Sequence, residues 1–437
     1  MKNIIVITLL LSVGIIAQTK KLSLEESIKI GMQNSKDLKI AKSKLISASA
    51  EVTAATSQLL PQIGLTASYM RLSNIPPFDI SLPFLPSPIQ ISPVILNNYN
   101  IKLSVQQPLF TGFRLWSLKN VAESNNNAEI FEYQKDLNET AFIIQNAFWN
   151  FYKAQQYDNV LEENLNQMKQ HLDDTRNFME NNLATKNDLL KLEVQYSSIN
   201  LQKIEADNQL DIARMVFNQT INLPLDQLTE IEVPDLTANK LDYKSNDLIN
   251  EARINRNELK SMKQRIDASI SGIRAAQSAW LPSVYLIGDY YDNRPNQRIQ
   301  PAVDAFKETW DVGVTLSWSV WNWGYTSSQT TIAEQNKMQA ETSLSQLNDA
   351  VELEVNRNLI TLQRAYDKVN VARLTVEQAQ ENYRITQEKY NTQVASSTDL
   401  IDAESSLLQA KTNFNNTMVD YEIAKIQLDK SIGKKIY

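Results

Sequence analysis

The sequence predicts a mainly α chain with a smaller share of β: long antiparallel coiled-coil helical hairpins, and four strands that each copy contributes to an oligomeric transmembrane β-barrel. Three observations carry this. Between Gly112 and Pro224, and again between Gly324 and Gly433, there is neither proline nor glycine for 111 and 108 positions, and stretches without these breakers favour very long helices. Four segments alternate apolar and polar residues with period two and have aromatic residues at their ends, the pattern of membrane-barrel strands. The same order of elements also recurs in two halves of the chain.

The first element is a targeting segment. Met1-Lys2-Asn3 precedes an apolar run from Ile4 to Ala17, and a basic start, a short apolar core and a small terminal residue read as a secretory signal over 1–17, cut after Ala17. An uncleaved interfacial anchor is the alternative, although the run lacks the charged face such anchors carry. No later segment offers the roughly 18 apolar residues a spanning helix needs. The chain is therefore expected to be exported without a helical anchor.

Composition narrows the chemistry. The 437 residues include no cysteine and a single histidine, His171, so thiol chemistry, disulfides and multi-His or Cys/His metal sites are excluded. With 43 basic and 50 acidic residues, the net charge of −7 gives nucleic acid no broad basic stripe. His171 is expected on a solvated helix surface. No phosphate loop, catalytic triad or pocketed carboxylate pair is present, so neither an enzyme nor a bound cofactor or metal is expected.

The halves, 18–235 and 236–437, align in pieces. Asn34-Ser35-Lys36-Asp37-Leu38 matches Asn255-Arg256-Asn257-Glu258-Leu259, and the same offset of 221 places Leu60-Pro61 on Leu281-Pro282. Further on, an offset of 211 places Asp188-Leu189 on Asp399-Leu400 and Glu193 on Glu404. The offset changes because the first half has a longer loop containing Pro76, Pro77, Pro83, Pro86, Pro88 and Pro93. That loop should be extended and exposed. Each half then reads as a helix, two strands and a long helical hairpin: strands 62–70 and 99–108 with hairpin 114–222, then strands 283–291 and 309–320 with hairpin 325–432.

Strand one alternates Ile63, Leu65, Ala67 and Tyr69 with polar or small residues, and strand four alternates Trp310, Val312, Val314, Leu316, Trp318 and Val320 likewise. A small soluble sheet covered by helices is the competing reading. Against it, Tyr69, Tyr99 and Trp310 fall at one end of the strands and Trp318, Trp321 and Trp323 at the other, like the two aromatic girdles of a barrel in lipid. Four strands cannot close a barrel, since an open edge in lipid leaves backbone groups unpaired at several kcal/mol each. Two copies are the minimum and three give twelve strands.

The hairpins carry heptads. Leu400, Ala403, Leu407, Ala410, Phe414, Thr417, Tyr421, Ala424 and Leu428 follow 3-4 spacing, and Val355, Leu362, Val369, Val376, Tyr383 and Tyr390 form a large-residue line on the preceding helix. A sustained seven-residue repeat means helices packed side by side. Shifted back by 211, the line becomes Ile144, Phe151, Asp158, Leu165, Leu172 and Met179, broken only by Asp158. Both hairpins turn at short polar tips. Thr185 to Asp188 and Ser396 to Asp399 have capping-box spacing, so both aspartates can be plain helix starts. Asp402 is not covered by that reading; it lies three residues from Asp399 on one face, and like charges so placed repel. A pore or ion role is the rival.

Taken together, the signal, the duplicated halves, two strand pairs, two long hairpins and Asp-Leu tips resemble the TolC-type outer membrane efflux protein family over the whole mature chain. The resemblance implies a homotrimer with a twelve-stranded barrel in outer-membrane lipid, continuous with a periplasmic α-barrel. It implies the exit duct of a tripartite efflux or type I secretion system, docking on a periplasmic adaptor and an inner-membrane pump of RND or ABC type. The family's tip resembles Ser397-Thr398-Asp399-Leu400-Ile401-Asp402-Ala403, which implies an acidic constriction at Asp399 and Asp402, with Asp188 from the first tip. The first tip has Lys191 where a second acid would fall, and no arginine stands among Val394 to Thr398. Adaptor contact is expected at Leu183, Ala184, Thr185, Val394, Ala395 and Ser396. The absence of a lipidation cysteine separates the chain from the family's lipid-anchored branch. A non-conducting, barrel-anchored coiled-coil scaffold or surface receptor is the alternative function.

Overall fold

The computed structural model describes residues 21–437 apart from 77, 81, 82, 85 and 87; the signal segment, 1–17, lies outside the described residues. Two compact units are present, and each takes segments from both halves of the chain.

The first unit comprises the described part of 1–40 with 134–256 and 350–437. Strand β1 (Lys21–Leu22) pairs in parallel with β6 (Glu230–Ile231), and helix α1 (Leu24–Asn34) starts in a Ser23/Glu26 capping box. Its core gathers Leu22, Ile144, Phe148, Phe151, Phe217, Ile221 and Val419. Gly31 lets α1 come close: a Cβ there would lie 2.5 Å from Ile144 Cδ1. The unit holds most of two long helices, α3 (Arg114–Glu180) and α7 (Tyr325–Asn391), each 67 residues, and their 35-residue partners α4 (Lys186–Thr220) and α8 (Ser397–Ser431). The heptad residues Ile144, Phe151, Val355, Leu362, Val369, Leu400, Ala403, Leu407 and Leu428 are buried. Asp158 does not open the seam, because Lys203 of α4 reaches it at 2.9 Å and also meets Asp207 and Glu162.

The second unit, 41–133 and 257–349, contains a four-stranded antiparallel sheet ordered β2 (Gln62–Arg71), β5 (Asn97–Thr111), β7 (Ser283–Arg294), β8 (Lys307–Ser317). Helix α6 (Asn257–Gln277) and most of α2 (Lys36–Ser57) belong to this unit, whereas α5 (Ser245–Asn255) belongs to the first. The register puts Ile63 opposite Val105, Leu65 opposite Leu103, Leu103 opposite Tyr290, Tyr290 opposite Trp310 and Leu286 opposite Val314. Residues directly opposite share a face, so one face is apolar and exposed over the middle of all four strands, with Asp292, Arg294 and Glu308 at its Tyr99 end. The other face carries Thr66, Lys102, Asp289, Tyr291 and Asp311, with Lys102 paired to Asp289 at 2.8 Å. β2 and β8 are the edges, each paired on one side only.

Three expectations are corrected. Strand four ends at Ser317, not at 320: its last partner is Ser283, preceded by Pro282, which has no N–H to extend the ladder. Trp318, Trp321 and Trp323 therefore lie in the connection to α7. Strands two and three run longer than expected, to Thr111 and Arg294. The Pro-rich segment is not wholly irregular, since β3 (Phe78–Ile80) pairs with β4 (Ile89–Ser92); the four residues of β4 sit between Pro88 and Pro93 and keep their donors.

Left-handed backbone repeats along the chain. Gly112 and Phe113 precede α3 as Trp323 and Gly324 precede α7, Asn182 corresponds to Gln393 at the tips, and Asn222 to Gly433 after the shorter helices, every pair at the offset of 211. Glycine is required at Gly433, where φ is +78° and a Cβ would meet the Asn255 carbonyl carbon at 2.8 Å.

Candidate functional site at the helical tips

Both tips are built from the same two backbone devices. At the first, Asn182 takes φ 59°, and the Asn182 and Leu183 amides donate back to Met179 and Phe178 at 3.0 and 2.8 Å. At the second, Gln393 takes φ 61°, and the Gln393 and Val394 amides donate to Tyr390 and Lys389 at 2.9 and 2.8 Å. This left-handed cap satisfies carbonyls at the helix end. A capping box follows at once. Thr185 donates from N and Oγ1 to Asp188 Oδ2 at 3.1 and 2.6 Å, and Ser396 does the same to Asp399 at 2.9 and 2.7 Å. The turns are thus fixed at both ends, and they hold Leu183 and Val394 outward, 58% and 75% exposed. Ala184 and Ala395 are half-buried, and Thr185 and Ser396 are exposed.

The three acids differ in what else they touch. Asp188 uses its second oxygen too, accepting from Ser397 Oγ of the other hairpin at 2.7 Å. Hydrogen bonds from Thr185 and Ser397 hold its carboxyl below the ordinary range. Asp399 is held low by the Ser396 backbone and side-chain donors alone. Asp402 is exposed and its carboxylate has no hydrogen-bond or ion-pair partner among the described residues. Lys191 of α4 donates to Thr398 Oγ1 at 2.9 Å, and its charge also acts on Asp188. The structure thus places Asp188, Lys191, Ser397 and Thr398 together, a set that residue spacing within either hairpin could not reveal.

Above the tips, a polar seam joins α3 to the second hairpin. Thr175 bonds Tyr390 at 2.5 Å, His171 Nε2 bonds the Tyr383 hydroxyl at 2.9 Å, and Asn164 Nδ2 donates to Glu404 Oε1 at 2.9 Å. The solvated position expected for His171 is overturned: the ring is 3% exposed, and burial holds it below the usual imidazole range. The signal available was its place one residue from the heptad position Leu172.

The predicted aromatic residues are exposed on the second unit or its connections, Tyr99 being half-buried. Tyr69 and Tyr99 stack with centroids 4.9 Å apart, Trp318 Nε1 donates to the Trp280 carbonyl at 3.2 Å, and Trp321 meets Trp323 edge-on at 5.8 Å. Among the described residues no helix is long and apolar enough to cross a membrane, and no cluster of His, Cys, Asp or Glu could hold a metal ion.

A model of the outer membrane efflux protein family matches residues 28–221 and 248–434. The chain belongs to that family. It is 22% identical over 390 residues to the outer membrane protein TolC of Vibrio cholerae serotype O1, covering 87% of this chain and 84% of that one. In fold it is similar to the Campylobacter jejuni CmeC outer membrane channel, with TM-score 0.77, 17% identity, and coverage of 94% of this chain and 85% of that one. The outer membrane protein VceC of Vibrio cholerae gives TM-score 0.77 at 17% identity, covering 95% and 97%. This efflux family member is an outer-membrane protein with its helical portion in the periplasm, and is not an enzyme.

Proposed function

We propose that the chain forms, as a homotrimer, the passive exit duct of a tripartite efflux or type I secretion system, receiving cargo through a periplasmic adaptor from an RND or ABC pump. The observation that carries this reading is the sheet: an apolar face in register over four strands, a polar opposite face, and two unpaired edges. Such a sheet is one segment of a barrel with lipid outside and water inside. Two copies would give eight strands, whose interior side chains fill; three give twelve and leave a lumen. Tyr69, Tyr99 and Trp310, and Trp318, Trp321 and Trp323, then serve as the two interfacial girdles.

At the periplasmic end, the acidic ring is formed by Asp399 and Asp402, with Asp188 fixing the turn behind them. Both oxygens of Asp188 are occupied, whereas Asp402 is free to face a permeating ion. Leu183 and Val394, with Ala184, Thr185, Ala395 and Ser396 around them, offer the rigid apolar points on which an adaptor docks. The test is single-channel recording of the purified oligomer in a planar bilayer, for wild type and for Asp399→Ala/Asp402→Ala. Cation-selective steps that enlarge and lose selectivity in the double variant are expected. An inserted oligomer that stays silent in both forms would overturn the duct in favour of a scaffold.

A further inference from the structure

Glu404 lies about two turns into α8 and is 1% exposed, and its partner Asn164 on α3 is 5% exposed. Asn164 Nδ2 donates to Glu404 Oε1 at 2.9 Å. Two buried acceptors remain without a donor: Glu404 Oε2 and Asn164 Oδ1. No cation forms an ion pair with Glu404 among the described residues. An ionised carboxylate so placed would be desolvated with one oxygen unpaired, next to an amide whose own oxygen is also unpaired, a costly arrangement. One proton removes both difficulties.

We propose that Glu404 is a proton-binding site that fastens the second hairpin to the first: as the neutral acid it closes a two-bond ring with the Asn164 carboxamide, Nδ2–H to Oε1 and Oε2–H to Oδ1. The ring satisfies every orphaned atom of the pair with groups already present. Loss of the proton to solvent breaks one bond and leaves two acceptors facing each other, which loosens α8 from α3 above the tips. Burial pushes the Glu404 carboxyl up to about 8, so the fastening is intact below that pH and released above it.

One heptad along α8, Lys411 pairs with Glu163 of α3 at 3.0 Å, a contact near the surface between residue types that ordinarily titrate well away from pH 8, so the change in fastening is assigned to Glu404. From α7 the titratable group is Tyr383, whose hydroxyl burial and the Glu404 charge push up to about 12. From α3 it is His171, bonded to Tyr383, with Asp174 acting on it beyond. On α8 the flanking residues Leu400, Ala403 and Leu407 are apolar, and α4 presents Leu189 and Leu192 to the face that meets Ile401.

The test uses the full-length detergent-extracted oligomer and does not depend on conduction. Infrared spectra recorded across pH should show a protonated-carboxyl C=O band at pH 7 that falls by half near pH 8. Glu404→Gln removes the band, and Asn164→Leu shifts its frequency. Gln reproduces both bonds of the ring, so this variant folds with the fastening permanently closed. Spin labels on the two tips should separate above pH 8 in wild type and stay together in Glu404→Gln. A pH 7 spectrum unchanged by Glu404→Gln, or tip separation that persists in that variant, overturns the proposal.

Discussion

The two hairpins share a backbone plan and differ in how they treat charge. Under the offset of 211, Asp158 and Lys203 of the first correspond to Val369 and Phe414 of the second, an ion pair where the other hairpin has two apolar residues. Asp188 and Lys191 correspond to Asp399 and Asp402. Glu193 is half-exposed and 3.7 Å from Arg176, whereas its counterpart Glu404 is buried with an amide. At the seam and at Glu193 the first hairpin pairs its charges, while the second has apolar residues at the seam, leaves Asp402 open to solvent and buries Glu404 beside an amide. Helical geometry therefore does not demand an open acid at Asp402, which is why that position is assigned to the ring.

The largest effect should come from breaking the pair peculiar to the first hairpin. Lys203→Met leaves Asp158 half-buried beside Asp207, and the helical signal should lose about 3 kcal/mol of stability. Asp158→Val/Lys203→Phe, which writes the second hairpin into the first, should return to within about 1 kcal/mol of wild type, measured by denaturant unfolding under circular dichroism. A double variant as weak as the single one would mean the seams are not interchangeable.

Next in size is the contrast between tip acids. Asp188→Ala removes a capping box and the Ser397 contact, so it should cost about 1–2 kcal/mol, while Asp402→Ala should stay within about 0.5 kcal/mol; thermal unfolding of both separates them. The Asp188 carboxyl is held low in the folded state, so its stabilisation is present above the ordinary carboxylate range and lost as pH falls through the folded value. Asp188→Asn should accordingly flatten the acid limb of the stability profile, and an unchanged limb would remove the contact's role. The smallest stability effect belongs to Val394→Asp, at a side chain that is 75% exposed. It should leave the thermal midpoint unmoved yet weaken adaptor capture about tenfold in a binding assay, and equal capture would move docking away from this tip.

Much of the architecture was legible because it rests on local rules. Period-two alternation marked β2, β5, β7 and β8, the absence of breakers marked the 67-residue helices, and Thr185/Asp188 and Ser396/Asp399 marked both helix starts. What stayed hidden depends on which faces of distant segments meet. His171 looked like a polar residue on a polar helix until Tyr383, over two hundred residues away, covered it. Ser397 read as one letter of a tip motif and turned out to donate to Asp188. Glu404 matched Glu193 in the alignment, and nothing local distinguished the paired acid from the buried one. The end of β8 was misplaced because the apolar alternation continues through Val320, whereas the ladder is limited by Pro282 on its neighbour.

The most direct test of the account compares the tips in one measurement: the reversal potential of single channels across a salt gradient, for wild type, Asp402→Asn and Asp188→Asn. Wild type and Asp188→Asn should share a cation-selective potential, with Asp402→Asn shifted toward zero. A shift in Asp188→Asn as large as in Asp402→Asn, or none in either, would contradict the assignment of the duct's selectivity to the second hairpin.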